Sequence, residues 1–227
     1  MTRILLFDID MTLIRSNGAG RAAMDAAFAG LFGVESATAG VSFDGRTDRA
    51  IFLETLTMHD LLNGDPAATV ARTFDAYLER LPASLDRLGG EVLPGVTGLL
   101  DALAGGNAVI GLATGNVRRG AEAKLRHFGL WEHFAGGGFG DHATVRADLV
   151  RAGIDELAAA AGVPAERASV IVLGDTPLDV EAAHVAGAQA LGVGTGRFTV
   201  EQLLASGAEW AVPDLSDTNQ VLRALLG

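Results

Sequence analysis

Two pairs of aspartates, far apart in the chain, each follow a short apolar run. Asp8 and Asp10 come after a run near the start, and Asp175 and Asp179 come after a similar run late in the chain. Like charges repel, so several carboxylates at strand ends indicate that something positive lies among them. A hard dication with oxygen ligands is the simplest candidate. The pattern therefore predicts an enzyme.

These residue types could transfer a phosphoryl group. Asp8 could be a nucleophile, because forming an acyl-phosphate divides a difficult hydrolysis into two easier steps. Asp10 could protonate the leaving oxygen and then activate water, and we expect nearby negative charge to raise its pKa for that task. The phosphoryl oxygens must also be held and neutralised. Thr114, the backbone N–H groups of Gly115 and Asn116, and one cation could do this.

The sequence offers few cations near the strand ends. Lys124, the only lysine, comes about ten residues after Thr114, which at roughly 1.5 Å per residue places it near 15 Å from the strand end. We therefore expect Lys124 to lie too far from the strand ends to hold the phosphoryl oxygens. Arg146 lies between a loop and the start of a helix, where its side chain could point back towards the strand ends. Arg151, a turn and a half deeper, is the alternative.

The elements that would position these residues follow a regular order. Strands and helices alternate from residue 108 onwards. This alternation predicts a doubly wound, mainly parallel α/β sheet with a Rossmann-like core, in which ligands bind at the carboxyl ends of the strands. Asp8, Thr114 and Asp175 would then meet at one edge of the sheet, although they are far apart in sequence.

A helical segment interrupts this α/β pattern. Asp65 and Pro66 form a good N-cap and N1 pair for one of its helices, and the segment contains no convincing strand. We therefore expect a catalytic core formed by residues 1–15 and 93–227. Residues 16–92 would form an inserted α-helical cap domain.

The composition argues against several classes of partner. The 227 residues are 49% hydrophobic and carry a net charge of −11, which fits a compact globule and disfavours binding to nucleic acid. No apolar stretch approaches membrane-spanning length, and no signal peptide is evident. The chain has no cysteine, which excludes disulfides and thiolate metal sites and is compatible with the cytoplasm. We therefore expect a cytoplasmic protein without a nucleic-acid or membrane partner.

Four segments together resemble the motifs of the haloacid dehalogenase superfamily: DIDMT, LATGN, the arginine before DLV, and GDTPLD. Their order and spacing are similar to those of the phosphoglycolate phosphatase-like group, which has a helical cap after the first motif. The resemblance implies a hydrolase that acts on phosphoric monoesters through an aspartyl-phosphate. Its substrate would be a small phosphorylated metabolite enclosed by the cap, and the protein would be a monomer or a homodimer.

The resemblance also implies a role for each matching residue. Asp8 would be the nucleophile and Asp10 the acid/base, with Thr12 orienting that loop. Mg²⁺ would be held by the Asp8 carboxylate, the main-chain carbonyl of Asp10, and Asp175, with Asp179 close by or acting through water. Retention of Asp10 is typical of the phosphatase branch of the superfamily.

The remaining motifs imply the substrate contacts. Thr114 would bind the phosphoryl group, and the basic residue of the third motif points to Arg146. The segment FDGRTD resembles the family's cap loop that faces the active site, so Arg46 could contact a substrate carboxylate or a second phosphate; an exposed surface position is an equal alternative. His142, in the loop before Arg146, could also approach the site. Two features depart from the family pattern: Met11 replaces the usual glycine of D-x-D-G-T, and the lysine-proline signature of the third motif is missing.

Each motif also has an explanation without function. Asp8 and Asp10 could form an ordinary strand-end turn, and Thr114 could begin an ordinary strand-to-helix turn. Asp179 could merely occupy the first turn of a helix, where the dipole favours a carboxylate. The presence of all these features in one chain favours the catalytic interpretation.

Two other functions stay open. A phosphotransferase of the β-phosphoglucomutase type would share the core and pass the phosphoryl group to a second sugar hydroxyl. A signalling receiver domain also accepts phosphate on an aspartate, but it carries a C-terminal lysine, and this chain has none after residue 124. Phosphoglycolate, a sugar phosphate and a nucleotide monophosphate are all candidate substrates.

Overall fold

The computed structural model describes residues 2–141 and 143–227. His142, which the sequence suggested as a residue near the site, lies outside the described residues. The strands of the described chain are β1 (Thr2–Phe7), β2 (Ile14–Arg15), β3 (Glu91–Val92), β4 (Ala108–Ala113), β5 (Gly137–Gly138), β6 (Ala168–Gly174), β7 (Gln189–Val193) and β8 (Trp210–Val212). Its helices are α1 (Ala19–Phe32), α2 (Asp48–Met58), α3 (Pro66–Leu88), α4 (Val96–Leu103), α5 (Arg118–His127), α6 (Arg146–Ala160), α7 (Pro177–Val185), α8 (Val200–Ala205) and α9 (Thr218–Leu226). None of these helices is both long and apolar enough to cross a lipid bilayer.

Six of the described strands form one parallel sheet in the order β5-β4-β1-β6-β7-β8. Within it, β1 lies between β4 and β6, and Phe7 is level with Leu112 on one side and with Leu173 on the other. The carboxyl ends of these three central strands therefore lie side by side, and the residues that follow them share one edge of the sheet. This arrangement confirms the predicted doubly wound α/β fold.

The central strands are buried on both faces, which explains their continuous apolar sequences. Alternate residues of β1 point to opposite sides of the sheet. Leu5 and Phe7 join one hydrophobic cluster with α4, α5 and α9, and Ile4 and Leu6 join another with α6 and α7. Helices therefore cover both faces and hold the central strands in place.

A third hydrophobic cluster is formed mainly by α1, α2 and α3. Phe52 of α2 links the three helices, with its ring centroid 6.2 Å from that of Phe28 in α1 and 5.5 Å from that of Tyr77 in α3. The short strands β2 and β3 pair antiparallel at the two connections of this segment to the rest of the chain. Because the segment has its own apolar centre, we propose that residues 16–92 form a cap over the α/β core.

Some elements differ from the expectation. α3 continues past Pro82 to Leu88, although a proline inside a helix disfavours its continuation. Its buried Leu81 and Leu85 pack into the cap cluster, which compensates for the presence of Pro82 inside the helix. The sequence analysis also missed α4 and α9, which are too short to give a clear helical period on their own.

Candidate active site

Asp8, Thr114 and Asp175 lie at the carboxyl edge of the sheet. Each directly follows one of the central strands β1, β4 and β6. The N–H of Asp8 donates to the carbonyl of Leu173 at 2.9 Å, which extends the strand pairing one residue beyond β1. All three residues are buried. The sheet edge thus brings a hydroxyl group and two carboxylates together in a place with little access to bulk water.

Asp179 adds a third carboxylate to this edge. One oxygen from each of Asp8, Asp175 and Asp179 lies within 4.8 Å of the others. None of the three residues is more than 6% exposed. Negative charges this close repel each other more strongly in the protein interior than in water, so the cluster requires positive charge.

Arg146 supplies part of that charge. It is the first residue of α6, and its Nη2 atom lies 2.8 Å from Oδ1 of Asp8 and 2.5 Å from Oδ1 of Asp179. Burial alone would lower its pKa, but the two aspartates raise the pKa by more, so the guanidinium stays charged. Arg151 pairs instead with Asp148 on the exposed face of α6. The structure therefore brings Arg146, and not Arg151, to Asp8.

One guanidinium does not neutralise the cluster. Burial raises the pKa of Asp8 to about 6; Arg146 lowers this pKa, whereas Asp179 and Asp10 raise it. Burial and the charges of Asp179 and Asp8 raise the pKa of Asp175 to about 9, despite Arg146. A free aspartate has a pKa of about 3.9. Carboxylates with such raised pKa values lack a sufficient counter-charge.

The residues present fit a hard divalent cation. Carboxylate oxygens are the ligands that such ions prefer, and a bound dication would relieve the repulsion that raises the pKa of Asp8 and Asp175. Asp8 and Asp175 are better suited as direct ligands than Asp179. Both oxygens of Asp179 already have partners, Arg146 at one oxygen and Thr176 at the other.

Asp179 also has a structural task. It forms a capping box with Thr176 at the start of α7: Asp179 Oδ2 accepts from the Thr176 N–H at 3.0 Å and from its hydroxyl at 2.7 Å. Gly174 leaves the space for this carboxylate, because a Cβ there would lie 2.2 Å from Cγ of Asp179. The helix-terminus explanation of Asp179 is therefore correct, and the same side chain also holds Arg146.

Lys124 contacts Asp10, and the distance argument from the sequence was wrong. Its Nζ atom lies 2.6 Å from Oδ2 of Asp10 and 2.6 Å from Oδ1 of Asn116. A helical rise counted from Thr114 overestimates the distance, because α5 begins only at Arg118. Lys124 is thus about 9 Å into the helix, and helical side chains point back towards the N-terminus. One feature of the sequence could have indicated a role for Lys124 at the site: it is the chain's only lysine.

This ion pair reverses the expected shift in the pKa of Asp10. Burial raises the pKa, but the charge of Lys124 and the hydrogen bonds from Lys124, Asn116 and Ser16 together lower it below its ordinary value. The expectation of a raised pKa was wrong because it counted the neighbouring carboxylates and omitted the ammonium group. Asp10 is therefore ionised at neutral pH.

The loop after β4 is ordered by its own side chains. The hydroxyl of Thr114 accepts hydrogen bonds from the backbone N–H of Asn116 at 3.3 Å and from its side-chain amide at 2.9 Å. That amide also donates to Oδ2 of Asp10 at 2.8 Å. The backbone N–H of Gly115 bonds to no described residue. Of the two backbone N–H groups that the sequence suggested for phosphate binding, that of Asn116 is therefore already engaged.

Asp48 joins α2 to this loop. Its N–H donates to the carbonyl of Gly115 at 2.7 Å, and its Oδ2 accepts from the N–H of Val117 at 3.0 Å. The contact requires glycine, because a Cβ on Gly115 would lie 2.2 Å from the carbonyl oxygen of Arg46. Burial raises the pKa of Asp48 to about 6, and Lys124 opposes this effect. No pattern in the sequence indicated this connection.

These groups surround a cavity of ≈ 380 Å³ between the sheet edge and helices α1 to α3. The polar part of its wall includes Asp8, Asp10, Thr114, Arg146 and Asp175. Its lining also includes apolar and aromatic side chains from the helical segment, namely Met24, Phe43, Ile51 and Tyr77. A cavity of this size and mixed polarity suits a small molecule.

The sequence matches the family model described as haloacid dehalogenase-like hydrolase over residues 5–184. The chain belongs to the haloacid dehalogenase-like hydrolase family. This confirms the resemblance that the four motifs indicated, and it assigns the protein to the hydrolases.

Individual proteins are also similar to this haloacid dehalogenase-like hydrolase. Probable phosphatase IndB of Dickeya dadantii (strain 3937) is 32% identical over 146 residues, which are 63% of this chain and 60% of that relative. Among solved structures, CbbY from Rhodobacter sphaeroides in complex with phosphate is 26% identical, with a TM-score of 0.66 and 96% of each chain covered. A predicted phosphoglycolate phosphatase from Haemophilus somnus 129pt is 18% identical, with a TM-score of 0.70 and 97% of each chain covered. The last likeness shows a shared fold.

The first motif of this haloacid dehalogenase-like hydrolase contains Met11 in place of glycine. Met11 has a φ of 62°, in the left-handed region that glycine adopts most readily, which explains the preference for glycine. Its N–H donates to the carbonyl of Ile14, and its carbonyl accepts from the hydroxyl of Thr195. The methionine therefore keeps the turn and adds a side chain to the cavity wall. Thr12 is buried, and its hydroxyl has no hydrogen-bond partner among the described residues.

Arg46 also lines the cavity of this haloacid dehalogenase-like hydrolase, but its guanidinium already has partners. Its Nη1 atom lies 2.5 Å from Glu54 and donates to the carbonyl of Ser42 at 3.3 Å. The Arg46 side chain is 28% exposed. Glu54 therefore competes with a substrate anion for the charge of Arg46.

Proposed function

We propose that this hydrolase removes the phosphoryl group from small phosphomonoesters in a Mg²⁺-dependent reaction through an aspartyl-phosphate. The observation that carries the proposal is the environment of Asp8. Its carboxylate lies at the cavity wall, 2.8 Å from a charged arginine and within 4.8 Å of two further carboxylates. Family membership and the similarity to a protein named as a phosphatase support the same chemistry.

The proposed reaction has two steps. In the first, an oxygen of Asp8 bonds to phosphorus and the ester P–O bond breaks. Asp10, which is ionised in the free protein and must first take up a proton from solvent, gives that proton to the leaving oxygen. In the second, Asp10 takes a proton from water while the water oxygen displaces Asp8 and releases phosphate. Arg146 holds Asp8 in place and offers positive charge to the phosphoryl oxygens, which Thr114 and the N–H of Gly115 also bind.

Asp8 and Asp175 would hold Mg²⁺, together with the main-chain carbonyl of Asp10, and Asp179 would stabilise the site from nearby. The bound ion would supply positive charge against the phosphoryl oxygens. The raised pKa values of Asp8 and Asp175 support this assignment, because both indicate carboxylates without enough counter-charge.

The cavity supports a small substrate. CbbY from Rhodobacter sphaeroides has been solved with phosphate, and a mutant of it has been solved with xylulose-(1,5)bisphosphate. These ligands support a phosphorylated metabolite as the substrate here. Arg46 would contact a carboxylate or second phosphate of that metabolite after exchanging its contact with Glu54.

A screen of the purified protein against phosphorylated metabolites tests the proposal. Phosphate release is measured with Mg²⁺ and with EDTA, using p-nitrophenyl phosphate as a general substrate alongside phosphoglycolate, sugar phosphates and nucleotide monophosphates. Mg²⁺-dependent phosphate release is the expected result. Absence of release from every ester would refute the proposal, and an isomerised sugar phosphate without phosphate release would indicate the phosphotransferase instead.

A further inference from the structure

We infer that Lys124 is a positioning residue for the proposed reaction. Together with Asn116, it holds one oxygen of Asp10 and leaves the other oxygen free to exchange a proton with the substrate. This inference rests on the proposed roles of Asp8 and Asp10, and it concerns a residue outside the four motifs.

Two donors bind the same oxygen of Asp10. Lys124 Nζ lies 2.6 Å from Oδ2, and the side-chain amide of Asn116 lies 2.8 Å from it. The other oxygen, Oδ1, has one long contact, at 3.5 Å, with the hydroxyl of Ser16. The Asp10 side chain is 39% exposed and lines the cavity. Oδ1 is therefore the oxygen that can face a leaving group.

Lys124 is itself held in place. Its Nζ atom bonds both Asp10 and Asn116, and Asn116 also bonds Asp10, so the three side chains form a closed triangle of hydrogen bonds. The Lys124 side chain is only 6% exposed. Gly20 of α1 lies beside the ammonium group, since a Cβ there would be in van der Waals contact with Nζ at 3.6 Å. A lysine confined in this way fixes the orientation of the carboxylate that it binds.

This orientation matters because proton transfer requires a heavy-atom distance of about 2.6–3.2 Å. In the first step the proton that Oδ1 of Asp10 has taken up from solvent passes to the leaving oxygen, while the ester bond breaks and Asp8 bonds to phosphorus. In the second step Oδ1 takes a proton from the attacking water. Lys124 neither gains nor loses a proton in either step.

Esters with different leaving groups distinguish this role from a general structural one. The p-nitrophenolate ion leaves without protonation, whereas an alkoxide such as the leaving group of benzyl phosphate requires the proton from Asp10. The ratio kcat/KM includes the steps up to the phosphorylation of Asp8 and excludes the later hydrolysis. Poor positioning of Asp10 should therefore lower kcat/KM for benzyl phosphate much more than for p-nitrophenyl phosphate.

The first variant is Lys124→Met, which keeps an unbranched side chain one atom shorter and removes all three N–H donors. We expect kcat/KM for benzyl phosphate to fall about 10- to 100-fold more than for p-nitrophenyl phosphate at saturating Mg²⁺. Arg119→Met removes an exposed cation from the same helix and should leave both ratios unchanged. An equal loss for both esters, or no loss, would overturn the inference.

A second variant decides the matter if Lys124→Met does not fold. The chain has no cysteine, so Lys124→Cys can be alkylated with 2-bromoethylamine at that position alone, in the unfolded protein before refolding. This restores an ammonium group on a side chain of nearly the same length. Recovery of benzyl phosphate turnover relative to the unalkylated variant is expected. Failure to recover, when refolded wild-type protein does recover, would overturn the inference.

The same assay separates this inference from the proposed function. A wild-type protein inactive on every ester of the screen would refute the proposed function and the role of Lys124 with it. An active wild-type protein whose variants lose both activities equally would refute only the role of Lys124.

Discussion

The Nη2 atom of Arg146 lies 2.8 Å from Oδ1 of Asp8, and this contact joins the start of α6 to the end of β1. Burial raises the pKa of Asp8 to about 6, and Arg146 limits that rise. Asp8 is therefore mostly ionised above pH 7, as a nucleophile must be. The arginine also holds the carboxylate in one orientation at the cavity wall.

Asp8→Asn should lower kcat on p-nitrophenyl phosphate by at least about 10³-fold, because the amide preserves the shape of the side chain and removes the nucleophilic oxygen. Asp101→Asn, an exposed substitution on α4, is the control and should leave kcat unchanged. Steady-state rates at saturating Mg²⁺, with circular dichroism as a check on folding, measure the effect. Activity close to that of the wild type would remove the proposed mechanism.

The raised pKa of Asp175 predicts that the stability of the metal-free protein falls as the pH rises. Its pKa is about 9 in the folded protein, against about 3.9 in an unfolded chain, so the folded state binds more protons between these values. Stability from this group is therefore complete at low pH and is lost as the pH approaches 9. Melting temperatures in EDTA from pH 5.5 to 8.5 should fall in the wild type and fall less in Asp175→Asn. A wild-type Tm that rises over this range would contradict the prediction.

Mg²⁺ should reverse this loss of stability. A cation that binds only the folded state raises Tm, and does so more as its concentration exceeds its Kd. The effect should be larger near pH 8 than near pH 5.5, because fewer protons then compete with the cation for the carboxylates. We expect EDTA to abolish activity and Mg²⁺ to restore both activity and Tm. In Asp175→Asn the increase in Tm with Mg²⁺ should be strongly reduced, whereas Asp101→Asn should respond like the wild type. A Tm that does not respond to Mg²⁺ in the wild type would count against the metal site.

The sequence predicted the contacts of residues that directly follow parallel strands better than the contacts of long, flexible side chains. The approach of Asp8 to Asp175 follows from their positions directly after apolar strands of one parallel sheet, and the hydrophobic pattern of the sequence shows those positions. The contact between Lys124 and Asp10 depends on where α5 begins and on how a long side chain bends back, which the spacing of residues does not show. The error in the pKa of Asp10 followed from that omission. The position of Asp48 depends on how α2 meets the loop after β4, which no local pattern encodes.

Gly115→Ala should disturb the contact between α2 and the loop after β4. The new Cβ would lie 2.2 Å from the carbonyl oxygen of Arg46, and a backbone atom cannot move aside as a side-chain end can. The hydrogen bond from Asp48 to Gly115 should be lost, with a decrease of about 1–3 kcal/mol in the free energy of unfolding. We also expect kcat/KM to fall at least about tenfold, since the phosphate-binding loop shifts. Urea denaturation and steady-state kinetics measure the two effects.

The matched control for this substitution is Gly105→Ala. Its Cβ would meet no atom within 4 Å, so both stability and kcat/KM should stay close to the wild-type values. If Gly115→Ala behaves like this control, the close approach between the two segments is unimportant for the site.

Arg46 and Glu54 should together determine which esters the protein prefers. Arg46→Ala should change the ranking of phosphate esters more than it changes kcat on p-nitrophenyl phosphate, because the aryl ester offers no second anion. Glu54→Gln frees the guanidinium from its charged partner and should lower KM about two- to fivefold for esters with a carboxylate or second phosphate, as expected for a partly exposed ion pair. The double variant should behave like Arg46→Ala if Glu54 acts only through Arg46. Equal losses on all esters in Arg46→Ala would indicate that Arg46 only supports its own loop, through the carbonyl of Ser42.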